Sequence, residues 1–238
     1  MPALADLRVR LFADGADLEG ISRMAKDPII KGFTTNPTLM CKASVTNYRA
    51  FAQEVLEIVP ERPVSFEVFS DDFSEMEKQA VAIAGWGDNV YVKVPVTNTK
   101  GQFSGPLIRR LSGSGVKLNV TALMTAAQVA QVAGCLAPGT PACISVFAGR
   151  VADTGRDPIP LMKECLERLR SVPECELIWA SPRELLNIFQ ADTIGCHIIT
   201  LTDAVLSKLP LIGKDLTEYS RETVEMFRQA AVKAALTI

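Results

Sequence analysis

Val90-Tyr91-Val92-Lys93-Val94-Pro95-Val96-Thr97 is the segment on which the fold turns. In an extended chain the valines at 90, 92 and 94 share one face, while Tyr91 and Lys93 share the other. Seven other short runs have the same character: VRLFA from Val9, KGFTT from Lys31, VSFEVF from Val64, KLNVT from Lys117, ACISVF from Ala142, ELIWA from Glu176 and HIITL from His197. Each is separated from the next by enough chain for a helix, and several intervals carry apolar residues at i, i+3 and i+4. The clearest are VTNYRAFAQEVLEIV from Val45, DFSEMEKQAVAIA from Asp72 and PIPLMKECLERLR from Pro158. In the last, Pro158 and Pro160 stand where a helix N-terminus tolerates them.

Strict strand–helix alternation predicts a parallel sheet, and eight repeats in 238 residues predict closure into one (β/α)8 barrel, a single domain over 1–238. A doubly wound open sheet is the alternative, weakened because no GxGxxG or GxxxxGK[ST] turn follows the first strand. The remainder, from about 214 to 236, reads as one long C-terminal helix with Thr217 or Ser220 as caps. It is longer than the last barrel helix needs to be. It therefore packs either on a neighbouring subunit, in a homo-oligomer, or back on its own barrel.

Hydrophobic residues at 48% and charged residues at 22% are ordinary for a soluble domain. A formal net charge of −2 argues against a nucleic-acid partner, which needs clustered lysine and arginine. No apolar run approaches the roughly 18 residues of a membrane span, and MPALADLRVRLFADGAD lacks a secretory pattern, so a cytoplasmic protein without a membrane partner is expected. The cysteines at 41, 135, 143, 165, 175 and 196 show no CxxC spacing and read as buried free thiols. The single histidine, His197, sits in apolar CHIITL and reads as a satisfied core residue. Histidine-based triads and His-rich metal sites are therefore disfavoured.

In a barrel of this kind the functional residues lie at the carboxyl ends of the strands. Those ends offer Asp14; Thr34, Thr35 and Asn36; Glu67; Lys93; Asn119 and Thr121; Ser145 leading to Arg150; Ser181 and Arg183; and finally Thr200 and Thr202. An ammonium buried at Lys93 loses hydration, which favours the neutral amine and attack on a carbonyl to give an iminium. A lone strand lysine would more often snorkel to solvent or pair with an acid. Asp14, Glu67, Asn36 and Asn119 on neighbouring strands turn the reading towards the nucleophile. Two carboxylates near one amine can divide proton transfer between them, although either alone could serve only to pair it. Arg150 and Arg183, with Ser181 at the start of a helix, make a phosphate site, although singly each arginine would read as a surface salt bridge.

The same residues carry a family resemblance. Phe12-Ala13-Asp14, Gly32-Phe33-Thr34-Thr35-Asn36-Pro37 and Val92-Lys93-Val94-Pro95-Val96-Thr97 resemble the transaldolase signatures in their usual order. Asn119-Val120-Thr121, Ile144-Ser145-Val146-Phe147-Ala148-Gly149-Arg150 and Ala180-Ser181-Pro182-Arg183 continue the resemblance over nearly the whole chain. It implies a class I barrel enzyme without metal or cofactor that moves a dihydroxyacetone unit between sugar phosphates. By position Lys93 resembles the Schiff-base lysine, and Asp14 the acid/base acting on the sugar C4 hydroxyl. Glu67, assisted by Thr121, resembles the residue that holds the water of iminium formation. Thr34, Asn36, Asn119, Ser145 and Phe147 match substrate-binding positions, and Arg150, Ser181 and Arg183 the phosphate grip. Compact members of the family resemble ring-forming assemblies, so a pentamer or decamer is expected, with a dimer as the alternative.

A related subgroup, the fructose-6-phosphate aldolases, usually has glutamine where Glu67 stands and tyrosine where Phe147 stands. A phenol at 147 could protonate the enamine and release dihydroxyacetone; phenylalanine cannot, which favours the transferase. Pro182 in place of an aromatic residue, and the run TNTKGQFSGPLIRR from Thr97, depart from the usual pattern and leave the acceptor sugar open. The rival readings are the aldolase, a phosphosugar isomerase or epimerase on the same barrel, and a non-catalytic sugar-phosphate-binding paralogue.

Overall fold

Eight parallel strands close on themselves in the computed structural model, which describes residues 4–236. They are β1 (Arg10–Asp14), β2 (Ile30–Thr34), β3 (Val64–Glu67), β4 (Val90–Pro95), β5 (Leu118–Leu123), β6 (Ala142–Val146), β7 (Cys175–Trp179) and β8 (Ile198–Thr202). Pairing follows chain order, and β8 returns to β1 with Arg10 opposite Ile198 and Asp14 opposite Thr202. That last pairing decides for the barrel and against the open sheet. Residues 1–3 and 237–238 of the expected domain lie outside the described residues.

The helices of the described residues are α1 (Leu18–Ala25), α2 (Pro37–Lys42), α3 (Tyr48–Ile58), α4 (Phe73–Ala84), α5 (Gly105–Gly113) and α6 (Ala126–Ala133), then α7 (Ala148–Ala152), α8 (Pro158–Leu169), α9 (Leu186–Thr193), α10 (Asp203–Leu206) and α11 (Leu216–Lys233). Asp17, Asn36, Asn47, Asp72, Thr125 and Asp157 each accept a first-turn N–H through the side chain, which satisfies a donor that the helix itself cannot pair. At α11 this role falls to Asp215, which accepts from the Glu218 N–H at 2.9 Å. Thr217 and Ser220 lie inside the helix and do not cap it.

Strand alternation sorts the apolar residues into two compartments. Val90, Val92 and Val94 face outward and pack under the helices, while Tyr91 and Lys93 face the barrel interior. Phe12, Cys143, Ile178, Ala180 and Ile198 fill that interior, with Tyr91 and Phe147 packed against them. An Arg10–Glu176 ion pair lies at the amino end of the strands. His197, half-buried at the same end, accepts the Leu177 N–H on Nδ1 at 2.9 Å, the satisfied histidine expected. Five cysteines are buried free thiols, but Cys41, within α2, is exposed.

No residue of α11 is buried, and Leu216, Val224, Met226, Phe227 and Val232 stand exposed along it. The helix is therefore not packed back on its own barrel. Lys214 ties its first turns, pairing with Glu222 and lying 5.0 Å from the Tyr219 ring centre. Among the described residues no helix is long and apolar enough to cross a membrane.

Gly32 sits opposite Phe12 in the β1–β2 register, and a Cβ there would come within 2.4 Å of the Phe12 ring. The barrel interior is closed to the extra methyl. Gly32→Ala is predicted to lower unfolding free energy in urea by about 1–3 kcal/mol. In a Phe12→Leu background the same change should cost less; an unchanged cost would exonerate the ring.

Candidate active site

At the carboxyl end of the barrel a cleft of about 450 Å³ is lined by Asp14, Thr34, Asn36, Glu67, Lys93 and Thr121 on one side and by Ser145, Phe147, Arg150 and Ser181 on the other. Strand register brings the first group together. Glu67 of β3 pairs with Lys93 of β4, and Asp14 of β1 with Thr34 of β2.

Lys93 is 6% exposed. Its Nζ donates to the Thr35 carbonyl at 2.7 Å and lies 3.1 Å from Glu67 Oε2. A buried ammonium needs such partners, because desolvation alone would expel it. Glu67 is held in turn by Tyr48, whose hydroxyl accepts the Glu67 N–H at 2.8 Å and donates to the Glu67 carbonyl at 3.1 Å. Burial raises the Tyr48 phenol further above its ordinary value, so it stays a neutral donor. Tyr48 lies at the start of α3, away from any strand end, and nothing in the sequence pattern singles it out.

Asp14 accepts from Thr34 Oγ1 at 2.7 Å and from Asn36 Nδ2 at 3.4 Å. Thr34 Oγ1 also lies 2.6 Å from Thr200 Oγ1. Burial pushes the Asp14 carboxyl above the usual carboxylate range, against the pull of the Lys93 charge and the two hydrogen bonds. Asn36 has two tasks. Its Oδ1 caps α2 by accepting the Leu39 N–H at 3.0 Å, which orients the amide so that Nδ2 faces Asp14. Pro37, the first residue of that helix, fits a position that needs no N–H.

Thr121 lies at a register break in β5, followed by Ala122 at φ +66°, a left-handed conformation uncommon for alanine. Thr121 Oγ1 is buried without a protein hydrogen-bond partner. Asn119, expected among the substrate contacts, is fully buried behind the cleft wall. It donates to Ser65 Oγ at 3.0 Å and accepts from Ser145 Oγ at 2.8 Å, so it orients the serine that does line the cleft.

The expected phosphate grip is only partly assembled. Arg150 lines the cleft with its guanidinium 5.4 Å from the Phe147 ring centre. Ser181 lines it too, but not at a helix start: α9 begins only at Leu186. Pro182 disfavours the helical conformation for the residue before it, and Ser181 adopts φ +61° instead. Asn187 Oδ1 then accepts the N–H groups of Arg183 and Glu184 at 2.8 and 3.2 Å in place of a helical turn. Arg183 does not line the cleft; its guanidinium grips Asp153, with Nε 2.9 Å from Oδ1 and Nη2 on Oδ2. Gly149 lies so close to Ser181 that a Cβ would fall 1.6 Å from the Ser181 carbonyl oxygen. Among the described residues no group of three or more His, Cys, Asp or Glu could hold a metal ion.

A sequence model of the transaldolase/fructose-6-phosphate aldolase family matches residues 11–238. A protein of Dehalococcoides mccartyi named "Probable transaldolase" is 35% identical over 202 residues, 84% of this chain and 90% of that one. One of the same name from Herpetosiphon aurantiacus is 31% identical over 216 residues, 90% and 92% of the two chains. Solved structures at 13% identity share the fold alone. A 2,3-dimethylmalate lyase superposes with a TM-score of 0.59 over 95% of this chain and 85% of its own. Dihydrodipicolinate synthase from Rhodopseudomonas palustris gives 0.59 over 98% and 82%.

Tyr48→Phe leaves the Glu67 N–H and carbonyl without their shared partner. It is predicted to cost about 1–3 kcal/mol in urea unfolding. A loss well below that range would mean that solvent replaces the phenol.

Proposed function

We propose that this chain, which belongs to the transaldolase/fructose-6-phosphate aldolase family, is a transaldolase that transfers a dihydroxyacetone unit through an imine on Lys93. The donor is a ketose phosphate, fructose 6-phosphate or sedoheptulose 7-phosphate, and the acceptor an aldose phosphate. The observation that carries this reading is a buried amine with a carboxylate at 3.1 Å, in one cleft with a second carboxylate and an arginine.

Lys93 passes a proton to Glu67 and attacks the ketose carbonyl carbon. The carbinolamine loses water as the iminium forms; Glu67 protonates that oxygen, and the otherwise partnerless Thr121 hydroxyl holds the departing water. Asp14, as the carboxylate, takes the C4 hydroxyl proton. The C3–C4 bond breaks, its electron pair moves into the iminium to give an enamine, and the aldose phosphate leaves. An acceptor aldehyde then takes the enamine carbon, its oxygen recovers the proton from Asp14, and hydrolysis of the new iminium restores Lys93. Arg150 and Ser181 bind the phosphate at the far wall. Phe147 supports transfer over release, because the ring packed beside Arg150 carries no proton for the enamine.

Fructose 6-phosphate alone should yield no steady stream of dihydroxyacetone; adding erythrose 4-phosphate should produce sedoheptulose 7-phosphate. Borohydride should fix a three-carbon fragment on the peptide containing Lys93. Label on another lysine, or none, overturns the imine, and dihydroxyacetone release at a comparable rate without acceptor makes the enzyme an aldolase.

Because Asp14 acts as a base in cleavage and burial raises its pKa, it keeps its proton to a higher pH than an ordinary carboxyl. The acid limb of kcat/KM should therefore lie above the normal carboxylate range. Asp14→Asn should lower kcat by about 10²–10⁴-fold and abolish that limb. A limb that persists in the variant would belong to another group.

A further inference from the structure

Arg183 stands outside the cleft, yet the guanidinium is not pointing at random. Nε and Nη2 are taken by the two oxygens of Asp153, which leaves Nη1 to donate to the cleft residue Ser181, 3.3 Å from its Oγ. Asp153 is the C-cap of α7, the helix that also carries Arg150 into the cleft. The same helix abuts the Ser181 carbonyl at Gly149, where no Cβ fits. One short helix thus carries one arginine, touches the serine and clamps the second arginine.

We propose that Asp153 is a positioning residue for recognition of a phosphoryl group: it holds Arg183 side-on so that the Nη1 edge, beside Ser181, completes the anion site opened by Arg150. The inference deepens the reading above and rests on its phosphorylated substrate. A guanidinium has five N–H donors in a fixed fork, so one edge can stay on a carboxylate while another meets a phosphate oxygen. Each partner holds the other in its charged form, Asp153 lowered by Arg183 and Arg183 raised by Asp153. Without the clamp, a side chain this exposed would sample many rotamers, and binding would have to order it.

The clamp has an opposing effect, since a carboxylate near an anion site repels the anion. Both side chains are about half exposed, at 47% for Arg183 and 51% for Asp153, so water screens that repulsion. Orientation is the larger effect, and the sign of one substitution decides between them.

The test compares wild type, Asp153→Asn, Asp153→Glu, Arg183→Ala and the Asp153→Asn/Arg183→Ala double variant. Two measurements are made: calorimetric titration with inorganic phosphate, and steady-state kinetics on fructose 6-phosphate and unphosphorylated fructose, each with saturating unphosphorylated glyceraldehyde as acceptor. Asp153→Asn should weaken phosphate binding and raise KM for fructose 6-phosphate about tenfold, with kcat within about twofold, as expected for loss of a charge-assisted contact. KM for fructose should not move, Asp153→Glu should recover part of the loss, and Asp153→Asn should add nothing once Arg183 is alanine. Tighter phosphate binding in Asp153→Asn would make the carboxylate a competitor and overturn the proposal. So would equal losses on both sugars, or additive losses in the double variant. The phosphate titration needs no turnover, so it stands apart from borohydride trapping, whose failure would strike the imine and not the clamp.

Discussion

An ammonium only 6% exposed inside a parallel barrel has to find its partners within one strand layer of itself. Lys93 finds two, the Glu67 carboxylate one strand away and the Thr35 carbonyl at the end of β2. Much of the architecture around the cleft can be traced from those two contacts. The Glu67–Lys93 pair exists because β3 and β4 run parallel in that register, and a slip of one residue would turn Lys93 under the helices. Thr35 is steadied through Ser65, which takes both its N–H and its hydroxyl on a single carbonyl. Tyr48 fixes the backbone of Glu67 from α3, and its ring packs against Phe66 and Trp86. Barrel closure, helix packing and the ion pair are one connected arrangement.

Much of this was legible in the chain. Alternating valines with Lys93 on the opposite face, repeated across eight β-branched runs, give the barrel and its inward residues, because strand faces follow a period of two. The strand ends put Asn36 near Asp14, while its second task, capping α2, shows only in the structure. What stayed hidden depends on contacts between segments remote in sequence. Asn119 looks like a cleft residue until Ser65 and Ser145 engage its amide at both ends. Arg183 reads as part of the phosphate grip, but Asp153, thirty positions earlier, takes its guanidinium in the surface salt bridge that is its other reading. Ser181 looks like a helix start, yet the following proline disfavours a helix there and the residue adopts a left-handed turn. Asp215 takes the place of Thr217 and Ser220 as the α11 cap because the helix begins at Leu216, ahead of both.

Part of the chain's strain and unmet polarity lies at the cleft. Ala122 and Ser181 hold positive φ there, and Thr121 keeps a buried hydroxyl without a protein partner. Each is unfavourable by itself, and each is tolerated because the barrel wall around it is tightly packed. The apolar interior beneath the cleft reaches up to Phe147, so one ring belongs both to the packed core and to the floor of the site. In the proposed mechanism that same ring, which has no phenolic proton, favours enamine transfer over release.

The row of oxygens from Thr200 through Thr34 to Asp14 obeys a rule of hydrogen counting. An ionised carboxylate can only accept, so the one Thr34 hydrogen goes to Asp14 and Thr200 must supply its own to Thr34. Once Asp14 carries a proton it gains a donor of its own, and the row can reverse, running outward from the acid to β8. Both orientations keep every oxygen within the same 2.6–2.7 Å spacing, so the reversal needs two hydroxyl rotations and no movement of the backbone. The polarity of this hydroxyl row is a memory, written in hydrogen positions on the barrel wall, of whether the acid has taken its proton.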